Sequence, residues 1–163
     1  MQMKRDFVII ALFLLSLYLM SCTQPPDFPD EPVIEFMSIS KNEMIQGSFT
    51  EDSIIVAFSF TDGDGDLGDD DSINVFLTDS RDDFIANQYR IPFIPEEGAA
   101  NGISGEIFLT VFTTCCTFPD ATLPCTPSTA HPRDSLRYLI QIRDRAGNWS
   151  NEISTDLIYI LCQ

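Results

Sequence analysis

The chain has 163 residues, with 25 acidic against 9 basic side chains and a formal charge of −16 at neutral pH. This length suits one domain once a targeting segment is set aside. The charge argues against a nucleic-acid partner, because phosphates need cationic side chains, and against an electrostatic hold on an anionic bilayer.

The first element is a targeting segment. MQMKRDFVIIALFLLSLYLMSC carries Lys4 and Arg5, then an apolar run from Phe7 to Met20, then Ser21 and Cys22. That is the layout of a secretory signal, and the run is shorter than the ~20 residues of a membrane-spanning helix. Leu19-Met20-Ser21-Cys22 resembles the lipobox of bacterial lipoproteins, with Met20 larger than the residue usual there. The resemblance implies a signal peptide over residues 1–21. Cys22 would become the acylated N-terminus of an outer-membrane lipoprotein in the cell envelope, with a lipid anchor in the membrane. Residues 22–32 follow as a tether: TQPPDFPDEP has four prolines and three acids and cannot bury a core. Without Lys4, Arg5 and Asp6 the balance is 7 basic to 24 acidic residues, a formal charge of −17.

Residues 33–163 read as strands. VIEFMSIS, SIIVAFSF, INVFLT, YRIPFI, GEIFLTVFTT, LRYLIQIR and TDLIYIL are rich in β-branched and aromatic residues and are separated by turn-forming residues. Ile54, Val56, Phe58 and Phe60 share one face; so do Ile107, Leu109 and Val111, and Tyr138, Ile140 and Ile142. Pro92 confines YRIPFI to a sheet edge. The expectation is an all-β fold, an antiparallel β-sandwich of about seven strands.

DSLRYLI, with Asp134 and Tyr138, is similar to the tyrosine corner of immunoglobulin-like domains, with Ile140 at the place of their second core cysteine. RDRAGNWSNE resembles the last hairpin turn of bacterial immunoglobulin-like domains, with Gly147 and Asn148 able to take positive φ. The resemblance implies strands A, B, C, C′, E, F and G. It places the acidic B–C loop and the F–G turn at one end, and Trp149 outside the core. Cys115, Cys116, Cys125 and Cys162 open or close elements at the other end. Four cysteines in an exported chain suggest two disulfides. The topology and the parity of Cys115 with Val111 favour Cys115–Cys162 and Cys116–Cys125, with swapped partners still open.

The acidic loop, FTDGDGDLGDDDS, holds six aspartates in ten positions. Alternating carboxylates with glycines between them can converge on a hard cation, and oxygen ligands of this kind suit calcium better than magnesium. The pattern resembles Asp-x-Asp-x-Asp-Gly calcium loops. It is not an EF-hand, since Leu67 stands at position six and Ile73 at position twelve. The expected ligands are Asp62, Asp64, Asp66 and Asp69, with Asp144 supplied by the F–G turn. A solvated loop and a patch for a basic partner remain open alternatives.

Little points to catalysis: paired carboxylates of the kind a glycosidase uses are present, but they cluster in one loop without an evident apolar pocket to raise a pKa. His131 is the single histidine and sits in a Pro- and Thr-rich loop, and neither a Gly-x-Ser-x-Gly nor a His-Glu-x-x-His motif is present. The expected function is a non-catalytic binding or adhesion module whose partner is a glycan or an envelope protein. The alternative is a structural accessory subunit of an outer-membrane complex.

Overall fold

The computed structural model describes residues 28–95, 102–120 and 122–163; Cys22, the signal segment and the first part of the tether lie outside them. The fold is all-β. Among the described residues no helix is long and apolar enough to cross a membrane. The described residues form ten strands: β1 (Val33–Ile39), β2 (Glu43–Ile45), β3 (Ser53–Asp62), β4 (Val75–Asp79), β5 (Ile85–Tyr89), β6 (Ile103–Phe112), β7 (Arg133–Leu136), β8 (Tyr138–Ile142), β9 (Ile153–Ser154) and β10 (Ile158–Leu161). They form three sheets in the orders β1-β3-β6, β2-β10-β7 and β5-β4-β8-β9.

The period-two pattern sets the core. Ile54, Val56, Phe58 and Phe60 of β3, Leu109 and Val111 of β6, and Tyr138, Ile140 and Ile142 of β8 are all buried in one cluster. A one-residue slip in any of these strands would turn its whole apolar set to water, so register is strongly specified. The β3–β6 pairing is unbroken from Ser53↔Phe112 to Asp62↔Ile103. The start of β6 therefore lies beside the acidic loop, and its end lies at the opposite pole.

The strand count exceeds seven for identifiable reasons. β2 is three residues long with one buried side chain, Met44, and pairs in parallel with β10. So short a run has no legible period. LRYLIQIR splits at Arg137: β7 pairs with β10, whereas β8 pairs with β4 and β9. At the break the Arg137 N–H donates to Ser80 Oγ (2.8 Å), and the Ser80 N–H donates to the Arg137 carbonyl (3.0 Å). The expected YRIPFI strand forms earlier, as β5, and stops at Tyr89. β5 is an edge strand, and Pro92 lies beyond its end, outside the sheet. β6 is the edge of its own sheet, and there the Tyr89 hydroxyl donates to the Thr110 carbonyl at 3.0 Å.

The disulfides are Cys115–Cys125 and Cys116–Cys162, the swapped form of the favoured pairing. The parity argument fails because β6 ends at Phe112. Beyond it the Thr113 N–H turns to the Asp52 carbonyl and the Cys116 N–H to Gln46 Oε1. This shifts the inward position from Cys115 to Cys116, which is fully buried beside Cys162.

Candidate metal centre

Asp62 is the last residue of β3 and continues its inward-facing series. Its side chain has no exposed surface. The chain then reverses at Gly65, whose φ of +72° suits glycine. That turn brings Asp66 back toward Asp62 and leaves Asp64 exposed at the apex. From the other side, Asp144 follows β8. Its Oδ1 accepts the N–H groups of Gly147 (2.6 Å) and Asn148 (2.7 Å), and its Oδ2 accepts from Asn148 Nδ2 (2.9 Å). Gly147 takes the positive φ, +96°, while Asn148 does not and serves through its side chain instead.

The result is a convergent triad. One carboxylate oxygen from each of Asp62, Asp66 and Asp144 lies within 4.8 Å of the others. Asp62 Oδ2 accepts the Leu67 N–H (2.8 Å), and Asp66 Oδ2 accepts the Ala146 N–H (2.9 Å). The two remaining oxygens, Asp62 Oδ1 and Asp66 Oδ1, are buried without a hydrogen-bond partner. A buried, unpartnered carboxylate oxygen is costly, and charges at this spacing repel by about 3 kcal/mol per pair at an effective dielectric near 20. Arg145 lies close, donating its N–H to the Asp66 carbonyl (3.4 Å) and Nη1 to the Gly68 carbonyl (2.9 Å).

The electrostatics record the same tension. Burial pushes the Asp62 carboxyl up to about 6, against the Leu67 N–H, and Asp64, Asp66 and Asp144 add to the rise by repulsion. Asp66 is raised as well, first by burial and then by Asp144 and Asp64. These donors fit a hard divalent cation: all are oxygens, two are unsatisfied, and the turns on both sides are pinned by backbone hydrogen bonds.

Of the five expected ligands, the structure unites Asp62, Asp66 and Asp144. Asp64 is turned outward, where its Oδ1 accepts the Asp66 N–H at 3.4 Å. Asp69 is drawn into its own turn: its Oδ1 accepts the Asp71 N–H (2.8 Å), the main reason its carboxyl lies below the usual range. Alternation in sequence did not mean alternation in space, because the left-handed Gly65 reverses the chain.

Tyr138 is buried in the core, where loss of solvent raises its hydroxyl well above the ordinary tyrosine range. Asp134 joins a cluster that sequence reasoning missed. Arg81, largely buried, reaches Asp79 Oδ2 (2.6 Å), Asp134 Oδ2 (2.7 Å) and the Cys115 carbonyl (3.0 Å). Asp134 also accepts the Thr117 N–H (2.9 Å). Burial raises its carboxyl, but Thr117 and Arg81 outweigh it, and the net shift is downward. Only the alternation of Asp79 and Arg81 along one strand end hinted at this pair. Trp149 lies outside the core, 45% exposed, 4.9 Å from the Phe76 ring and 5.4 Å from the Arg143 guanidinium.

No family model matches this chain, and no curated protein or solved structure matches it either.

Proposed function

We propose that this chain is a lipid-anchored envelope lipoprotein of the outer membrane. Its immunoglobulin-like sandwich acts as a non-catalytic binding or adhesion module whose loop end is stapled by calcium. The observation that carries the cation reading is the Asp62 carboxylate, which has no exposed surface, an unpartnered Oδ1, and one oxygen within 4.8 Å of carboxylate oxygens of Asp66 and Asp144. Calcium tolerates irregular oxygen shells of six to eight ligands, so three carboxylates leave places for carbonyls and water; magnesium demands a stricter octahedron. A structural role is favoured over a catalytic one because Asp144 spends both oxygens on its own turn. The parallel pairing of β2 with β10 and the antiparallel β1-β3-β6 layer support an immunoglobulin-type strand order. The lipobox-like Leu19–Cys22 supports the anchor, and the two disulfides fit an oxidising compartment. The natural partner is a glycan or another envelope protein.

Thermal unfolding with calcium or chelator tests the staple. Millimolar calcium raises the melting temperature of the wild type and leaves Asp62→Asn unmoved; no shift in the wild type refutes it. Palmitate labelling that disappears in Cys22→Ser tests the anchor. Co-purification from solubilised membranes and a glycan array identify the partner class.

A further inference from the structure

We propose that the cation site is also a clasp for the polypeptide entering the domain, so that cation binding and the seating of residues 28–30 form one coupled equilibrium. This rests on the cation reading above and adds a second party to it.

The loop that carries Asp62 and Asp66 also receives the incoming chain. Gly63 stands between Asp62 and Asp64, and its N–H donates to the Pro29 carbonyl at 2.7 Å. A Cβ at Gly63 would collide with the carbonyl oxygens of Phe28 and Pro29, so the approach is backbone on backbone. Gly102 closes the other side just before β6, with φ +58°. A Cβ there would collide with the Asp62 carbonyl and come within 3.1 Å of the Phe28 ring. The 62–63 peptide is therefore pressed between the entering chain and Gly102. From that same residue the Asp62 side chain turns toward Asp66 and Asp144, with its buried Oδ1 unpartnered.

This arrangement makes the two events interdependent. Three carboxylates without a cation are relieved by separation, and moving Asp62 away from Asp144 withdraws the Gly63 N–H from Pro29. A cation holds Asp62 in place and with it the seat of the entering chain. Coupling of this kind is reciprocal: whatever factor the cation adds to seating, seating adds to cation affinity. The contact at stake is one backbone hydrogen bond with a small packed surround, which sets the factor at roughly tenfold.

The test uses the full-length chain and calcium alone. Hydrogen exchange at the Gly63 N–H slows about tenfold on calcium addition. In the regime of exchange by local opening rather than global unfolding, the Thr113 N–H, which donates to the Asp52 carbonyl at the opposite pole, stays unchanged. In Asp144→Asn the protection at Gly63 disappears, although Asp144 lies across the site from the entering chain. In the reverse direction, Gly63→Ala and Phe28→Ala each weaken calcium binding by about tenfold in calorimetry. Phe28→Ala leaves the loop backbone intact, so it decides the matter if Gly63→Ala does not fold. A wild type that binds no calcium overturns the cation reading and the clasp together. Calcium binding with unchanged Gly63 exchange, and with Phe28→Ala binding as tightly as wild type, overturns the clasp alone.

Discussion

Replacing Asp62 by Asn probes the metal centre most directly. In the cation-free protein the Asp62 carboxyl lies near 6, against an ordinary 3.8. Its folded-state value is raised, so the folded protein holds this proton more tightly than the unfolded chain does. Below about pH 4 both states are protonated and the group costs nothing. Between about pH 4 and 6 the unfolded chain ionises first, and stability falls as pH rises. Above pH 6 the full cost is present. A rise from 3.8 to about 6 corresponds to about 3 kcal/mol, and the exposed Asp64 beside it lets solvent reduce this to about 2–3 kcal/mol. For a domain of this size that is on the order of 10 °C in melting temperature. Carboxyls held below the usual range, such as Asp134 and Asp52, act in the opposite sense and lose their stabilisation only as pH falls below about 4. Chelated wild type is therefore most stable near pH 4–5 and weaker at pH 7. Asp62→Asn removes the fall between pH 4 and 6 and melts higher than chelated wild type at pH 7. Saturating calcium restores the wild type at pH 7 and does nothing for the variant. Scanning calorimetry across pH 4–8, with chelator or calcium, reads all of this. Chelated wild type as stable at pH 7 as at pH 4.5, or a variant less stable at pH 7, refutes the reasoning.

Arg81→Met leaves Asp79 and Asp134 facing each other without their cation and costs about 3–5 kcal/mol in urea unfolding, whereas a surface pair such as Arg133–Glu43 contributes under about 1 kcal/mol. Removing Cys116–Cys162, which spans 46 residues, costs about 4 kcal/mol on loop-closure grounds; removing Cys115–Cys125, which spans 10, costs less, at about 2.7 kcal/mol. Equal losses for the two in denaturant titrations contradict the loop-closure account. Gly147→Ala has free space for its methyl group but must adopt a φ of +96°, so it destabilises by about 1–2 kcal/mol through backbone strain alone.

What could be read from the residues was what is periodic. β6 and β8 alternate throughout and β3 does so apart from the buried Ala57, and their inward sets became the core. The acidic loop could be located because β3 ends in it, and Asp144 could be brought near it through strand order. The fate of individual aspartates was not legible. The left-handed turn at Gly65 decides that Asp66 rather than Asp64 meets Asp62, and alternation alone says nothing of that turn. The cysteine pairing escaped for a related reason: strand parity ends with the strand, and Cys116 lies four residues beyond β6. The Arg81 cluster was hidden because Asp134 lies 53 residues from Arg81 along the chain. The break at Arg137 depends on Ser80, which no local pattern announces.

The Tyr89 hydroxyl bond to the Thr110 carbonyl has a consequence beyond the fold of one molecule. β6 is a ten-residue border strand with Phe108 and Phe112 exposed along it, the profile of a surface that recruits a strand from a neighbouring copy. A phenol bonded in mid-strand occupies one of the carbonyls such a neighbour would need. Self-association through this border must first displace Tyr89, so a single hydroxyl helps keep a crowded population of these molecules from stacking edge to edge.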